Sequence, residues 1–397
     1  MAPVGYRGCS VVTTVTIRAY AADTGSGLVD VLDALKVHSA SLFGHAEIAF
    51  EPVAIFDRPF STVARLRIVP HEAAPFYAFT KIYKERPPRP YETARTTAEV
   101  VEQEFAATLR LHTALSGRPG FASPRPIARF PEHGAIITGE LTGRPLDRVL
   151  RRARGVSTPL LQSVATRIAA WLRAYQTSAA TGETSCWSRD EGRAYLDDRL
   201  RYITPGFLAP EQRARALALF DALAGQVTGD EPLVPIHADL CPSNILVLPG
   251  GGVAVLDFAT AQHGTRFHDL AHLYMHLELC RNRWRQRIGI SQVQEALLAG
   301  FAHEPAMRDP LFRLMLLQHV VCHVTQVADS GGWRPRAAVR ALVRWRWEVL
   351  MRMPALGGAT FAMDGRHQCP SDASTRSSGA EASAISPISS TASPSRD

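Results

Sequence analysis

P-I-H-A-D-L-C-P-S-N-I-L-V-L-P-G-G-G-V-A-V-L-D-F, residues 235–258, is the stretch on which the reading of this chain turns. It sets His237, Asp239 and Asn244 in the spacing H-x-D-x4-N, and Asp257-Phe258 begins 13 residues after Asn244. Two short apolar runs, 244–248 and 253–258, flank a Pro-Gly-Gly-Gly turn, the pattern of a tight strand pair. On this reading Asn244 opens the first strand and Asp257 closes the second, so pairing brings the two to one end. A carboxylate and an amide oxygen held together suit a hard cation that keeps several waters, such as Mg²⁺. Asp239 stands in the loop before the pair, where a carboxylate can accept a proton from a hydroxyl. These are the parts that phosphoryl transfer uses.

Working outward, the two sides of this stretch differ in character. On the N-terminal side, apolar positions at helical spacing predict a short helix over 28–44, and strands are expected at 51–57, 62–69 and 76–83. Pro87, Pro88 and Pro90 mark a loop. A strong helical pattern then covers 96–116, with Val100, Val101, Phe105, Leu109 and Leu111 on its apolar side, and strand-like runs follow at 128–130 and 135–138. After Leu141 the pattern turns helical, at 145–154, 158–178, 189–202 and 210–227, and again at 267–282, 290–302, 309–328 and 335–352. The expected fold class is therefore α+β. Its parts are an N-terminal extension (1–45), a strand-rich lobe with one long helix (46–141), a helical lobe (142–364) and a Ser-rich tail (365–397). Ten Ser and no aromatic residue between 371 and 397 predict a disordered tail, since little apolar surface is available to offset ordering entropy.

Composition narrows the classes further. A chain of 397 residues with 46% apolar and 20% charged residues is globular, which excludes a fibre, a coiled coil and a wholly disordered chain. The formal charge of +7 permits anionic partners without requiring one. Six scattered Cys without a C-x-x-C pair point to free thiols in a reducing compartment. The run at 11–17 is too short and polar for a secretory signal and reads as a buried strand. No apolar run approaches the ~20 residues of a membrane span, so a cytoplasmic protein is expected.

The compound motif of His237, Asp239, Asn244 and Asp257-Phe258 resembles the catalytic segment of the protein-kinase-like superfamily. Within it the chain looks like the aminoglycoside phosphotransferase and choline kinase branch of small-molecule kinases. Ala238 stands where protein kinases carry an Arg, Cys241 where they often carry a Lys, and Asp269-Leu270-Ala271 matches the D-L-A of the small-molecule branch. The resemblance covers about residues 50–350 and implies a two-lobed fold and transfer of the γ-phosphate of ATP to a small-molecule hydroxyl. It implies Asp239 as the catalytic base and Asn244 with Asp257 as Mg²⁺ ligands. It also implies Lys81, in F-T-K-I-Y, as a phosphate-binding Lys paired with Glu104. Glu102 is the rival, about 200° away around the helix. The adenine-binding hinge falls at Gly139, Glu140 and Leu141. The phosphate loop falls at 57–62, where no Gly occurs and Ser61 is the candidate phosphate donor. His237 and Asp269 are expected to support the loop. A catalytically inactive kinase fold used as a binding module is the competing reading, on the strength of that Gly-free loop. A protein kinase is the third.

Three further features attract attention. His268, His272 and His276 recur at helical spacing, as do His319 and His323, and a zinc site or a packed core are the two readings. Cys241 lies beside Asp239 and reads as a small filler rather than a reactive thiol. Residues 281–352 hold twelve Arg, no Lys and five acidic residues, with Arg336, Arg340 and Arg344 in line and Trp333, Trp345 and Trp347 nearby. A solvated face is the plain reading, and an anionic membrane surface the other. So basic a surface suits a neutral or anionic acceptor, such as a sugar, phosphosugar or glycolipid, over a polycationic aminoglycoside. No nucleic-acid-binding motif occurs, so no such partner is expected.

Overall fold

The structure, a computed structural model, describes residues 25–355 except 46, 72, 86, 89–93, 153–157, 179–184, 285–286, 303–305 and 330–335. The Ser-rich tail and the strand expected at 11–17 lie outside those residues.

The helix expected at 28–44 is two helices, α1 (Gly25–Val37) and α2 (Ser39–Phe43), separated at His38. They precede β1 (Ile48–Asp57), β2 (Ser61–Pro70) and β3 (Phe76–Tyr83). Along β2, Ala64, Leu66 and Ile68 are fully buried and the residues between them are half-exposed, the period of two that a strand with one covered face requires. What covers that face is α1: Leu28, Val31 and Leu35 pack in one cluster with Ala64, Leu66, Ile68, Ala78 and Ile137. Burial of three such side chains stabilises by about 1.5–3 kcal/mol each. Part of the N-terminal extension is therefore a packing layer of the sheet. The opposite face, carrying Val63, Arg65, Phe79 and Lys81, is left for the cleft.

Next comes α3 (Thr97–Leu115), started by a capping box in which Thr96 and Glu99 bond each other's backbone N–H. β4 (Phe121–Ala122), β5 (Pro126–Phe130) and β6 (Ala135–Gly139) follow. The main sheet is antiparallel throughout, in the order β1-β2-β3-β6-β5. Ala107, Leu111 and Leu115 of α3 belong to the C-terminal core, so this helix faces both lobes.

Beyond it lie β7 (Arg144–Pro145), α4 (Leu146–Arg152), α5 (Thr158–Thr177), α6 (Arg189–Phe207) and α7 (Pro210–Ala224). Four short strands interrupt the helices: β8 (Val234–Ile236), β9 (Ile245–Val247), β10 (Val253–Val255) and β11 (Gln262–Gly264). The chain then runs through α8 (His268–Trp284), α9 (Arg287–Phe301), α10 (Pro310–Asp329), α11 (Arg336–Leu350) and α12 (Arg352–Ala355). α10 is the centre of the helical lobe, buried nearly all round. By length and composition it is the one helix among the described residues that could cross a membrane. Its side chains are spent on the core instead.

Candidate active site

Strand register places the motif. β9 and β10 are antiparallel with Ile245 opposite Val255, and β8 pairs with β11 with Ile236 opposite Gln262. The segments 237–244 and 256–261 therefore leave the two strand pairs side by side. The strands are shorter than the sequence pattern suggests: Asn244 and Asp257 lie just outside the ladder, joined by the bond from the Leu256 N–H to the Asn244 carbonyl at 2.9 Å. The turn between β9 and β10 uses Gly250 and Gly251 at φ of 78° and 79°. Among the described residues only two that are not Gly have positive φ, Ala238 (64°) and Asp257 (70°). Both sit in this motif, where local strain is held by surrounding bonds.

Those bonds are specific. Asp269, fully buried in the first turn of α8, accepts from the backbone N–H of His237 at 2.7 Å and of Ala238 at 2.9 Å. Burial pushes its pKa up, but hydrogen bonding and charge from His268, with further help from His237, hold it below the ordinary carboxylate value. The His237 ring donates from Nε2 to the Leu256 carbonyl at 2.9 Å and accepts at Nδ1 from the Asp239 N–H at 3.2 Å. The Thr260 hydroxyl donates to the His237 carbonyl at 3.0 Å. His237 thus ties the two segments together and has no free nitrogen for base chemistry.

Asp239 and Asn244 are in contact. The Asn244 amide donates to the Asp239 carbonyl at 3.0 Å and to its carboxylate at 3.1 Å. Desolvation, reinforced by the Asp257 and Asp269 charges, raises the Asp239 pKa against the opposing His237 and Asn244. Beside it, the Cys241 thiol is pushed up to about 11 by burial and the Asp239 charge, so it stays a thiol.

Across the cleft, Lys81 reaches from β3 to two carboxylates. Its ammonium lies 2.6 Å from Asp257 Oδ1 and 3.4 Å from both oxygens of Glu104. Of the two candidates on α3, Glu104 points inward and Glu102 outward, where it pairs with Arg129 at 2.8 Å. Burial lowers the Lys81 pKa, but the charges of Glu104 and Asp257 outweigh it and the net shift is upward. For Asp257 desolvation raises and Lys81 lowers, with a lowered net value. Glu104 is displaced upward, burial outweighing Lys81. The residue the sequence reading missed is Tyr83, whose hydroxyl donates to Glu104 Oε2. Its position two residues after Lys81, on the same face of β3, was the available signal. Gln103 was also missed; its amide donates to the Ala261 carbonyl, tying α3 to the segment after Asp257.

The remaining expected positions lie around this cluster. The β1–β2 turn is braced: Lys84 bonds Asp57 at 2.5 Å and the Arg58 carbonyl at 2.9 Å, and the Arg58 N–H meets the Ser61 carbonyl at 2.9 Å. Ser61 itself is buried, opposite Tyr83, so the exposed part of the turn is 57–60. Glu140 is held at 3.0 and 2.8 Å in a two-point ion pair with Arg65, which also lies 4.0 Å over the Tyr77 ring. Its side chain is thereby committed, as are the N–H groups of Gly139, to the Arg125 carbonyl, and of Glu140, to the Tyr77 carbonyl.

The histidines and the basic helix are elsewhere. His268, His272, His276, His319 and His323 form a stack between α8 and α10, with neighbouring ring centroids 4.4 to 6.1 Å apart. Among the described residues no group of three His, Cys, Asp or Glu is arranged to hold a metal ion. The packed-core reading is the one the rings fit. α11 turns Val339, Val343, Trp347 and Leu350 into the core, so its apolar face is already covered and the membrane reading loses its support.

A two-lobed kinase-like fold with a Lys–Glu–Asp chain across the cleft defines the class. Residues 67–310 match the phosphotransferase enzyme family (APH), and the chain belongs to that family. It is accordingly a phosphotransferase whose acceptor is the hydroxyl group of a small molecule. No curated protein sequence matches the chain. Among solved structures, aminoglycoside phosphotransferase APH(4)-Ia aligns with a TM-score of 0.52 at 13% identity over 81% of this chain and 99% of that one. A thermostable mutant of the same enzyme, in ternary complex with ADP and hygromycin B, gives 0.51 at 12% identity over 82% and 100%. Choline kinase LicA from Streptococcus pneumoniae gives 0.50 at 14% over 82% and 99%. At such identities the likeness is one of fold.

Proposed function

We propose that this protein is an ATP- and Mg²⁺-dependent kinase of a small alcohol, acting in the cytoplasm. The observation that carries the proposal is the charge chain of Glu104 on α3, Lys81 on β3 and Asp257 of the motif, beside the Asp239–Asn244 pair. Asp257 and the Asn244 amide oxygen are hard donors of the kind Mg²⁺ takes, and they would hold it; the ion supplies neutralisation of phosphate charge when bound. Lys81, oriented by Glu104, binds phosphate oxygens. The backbone around Gly139, Glu140 and Leu141 takes the adenine, and the exposed part of the braced turn, 57–60, covers the phosphates, while Ser61 is buried and holds the turn through its carbonyl instead of donating to phosphate. Asp239 accepts the proton of the acceptor hydroxyl as its oxygen bonds to the γ-phosphorus, and the bond from that phosphorus to the β–γ bridging oxygen breaks to release ADP.

For the acceptor we favour a neutral or anionic compound, a sugar, phosphosugar or glycolipid headgroup, over an aminoglycoside. The support is the net +7 of residues 281–352, which repels a polycation. The competing reading is a binding module without turnover, favoured by the absence of Gly from 57–62.

Thermal unfolding with and without Mg-ATP tests the proposal. Ligand at ~100 times its Kd stabilises by ~2.7 kcal/mol, a readily seen shift. The expected result is a Mg²⁺-dependent shift that Asp257→Ala loses, followed by phosphate transfer in a screen of sugars. The absence of a shift with any nucleotide overturns the proposal in favour of the binding module.

A further inference from the structure

Lys81 and Glu104 meet within the strand-rich lobe at 3.4 Å, a long contact for a buried pair that has to present an ammonium group at a fixed place. Tyr83 touches both members. Its hydroxyl donates to Glu104 Oε2, and its ring carries the Lys81 ammonium 4.7 Å from the centroid. The strand makes this arrangement: Lys81 and Tyr83 are two residues apart in β3, so their side chains leave the same face. The backbone of Tyr83 is fixed as well, through its N–H to the Gly134 carbonyl at 2.9 Å and its register opposite Ser61 at the end of the braced turn. The phenol is therefore anchored by the sheet and not by the pair it supports.

We infer that Tyr83 is the positioning residue of the phosphate-binding lysine: its hydroxyl fixes the Glu104 carboxylate and its ring face fixes the Lys81 ammonium, so that the lysine stands ready for phosphate. Glu104 alone offers a carboxylate free to rotate about its last bond. The hydroxyl takes one oxygen and sets the plane of the group. The ring adds an electrostatic seat for a cation. Both contacts are to protein groups, so Tyr83 acts through its two neighbours. The inference rests on the reading of Lys81 as a phosphate ligand.

The experiment compares the affinities of ATP and adenosine by calorimetry, in the full chain, for wild type, Tyr83→Phe and Tyr83→Leu. Tyr83→Phe keeps the ring and the packing and loses the hydroxyl; Tyr83→Leu loses both. The expected result is ATP affinity weakened about tenfold by Phe and further by Leu, with adenosine affinity unchanged, because only the phosphates meet Lys81. In a Glu104→Gln background Tyr83→Phe should cost less than half as much, since the hydroxyl has lost its charged partner. Equal loss for ATP and adenosine overturns the inference, because distortion of the strand moves both ligands. Unchanged ATP affinity in Tyr83→Phe, with normal binding by wild type, overturns it alone. Failure of the wild-type protein to bind ATP overturns the proposed function, and this inference with it.

Discussion

Two clusters of titratable side chains lie inside this molecule, and burial acts on them with opposite results. At the lobe junction a lysine sits between two carboxylates, and for two of the three groups desolvation is outweighed: Lys81 holds its proton more firmly and Asp257 loses its own more readily than usual, while burial still displaces Glu104 upward. In the helical lobe His272, His276, His319 and His323 are desolvated beside other imidazoles and Arg346, and all four are held below the ordinary histidine value. Lys81 and the histidines are both largely buried, and the sign of the neighbour decides. The first cluster keeps charge at Lys81 and Asp257. The second discards charge and packs.

The hardest test of this contrast is Asp239→Asn. If the junction divides into a nucleotide side around Lys81 and Asp257 and an acceptor side at Asp239, the substitution lowers turnover by about two to four orders of magnitude. The Mg-ATP melting shift should persist. Asp239 is isosteric with Asn, and its one side-chain partner is the Asn244 amide, whose second bond, to the Asp239 carbonyl, survives. Transfer to an acceptor from the sugar screen gives the rate. Near-normal turnover would show that another group takes the proton.

How much of this was legible in advance differs between the clusters. H-x-D-x4-N and the D-F pair are local, and their spacing survives in the register of β9 and β10, so Asp239, Asn244 and Asp257 could be read together. Lys81 and Glu104 came from element order, with Glu104 distinguished from Glu102 by helical phase, and the structure separates them into an inward and an outward residue. Tyr83, Gln103 and the Arg65–Glu140 pair were not read, because each depends on contacts between elements far apart in sequence. The layer made by α1 was missed for the same reason: an amphipathic helix does not say which sheet it covers. The histidines showed their spacing, but spacing alone does not separate a metal site from a stack.

The stack makes a prediction about acid. An imidazole at about 6.5 when unfolded, and at about 4 for His276 or about 3 for His323 when folded, makes the unfolded state bind the extra proton. The stabilising contribution is complete above pH 6.5 and is lost as pH falls from there toward 4 and below. For His276 alone it amounts to about 3 kcal/mol. Thermal melts from pH 7 to 4.5 should fall steeply. His276→Gln should remove close to one proton from that slope and narrow the loss. A flat profile would mean that the rings find acid-stable partners, and the contrast between the clusters would fail.

The smallest effect separates the two glutamates of α3. Glu102 and Arg129 form an ion pair with side chains 50% and 43% exposed, and such pairs contribute about 0.2–1 kcal/mol at most. Arg129 also lies 4.7 Å over the Phe105 ring, so it keeps a seat when Glu102 is removed. Glu102→Ala should therefore change the melting temperature by a degree or two and leave the Mg-ATP shift intact. Glu104→Ala removes the partner of both Lys81 and Tyr83 and should reduce the shift strongly. The two carboxylates are about 200° apart on one helix, so equal effects from both would mean that α3 presents a different face to the cleft when nucleotide is bound, and the junction cluster would have to be redrawn around Glu102.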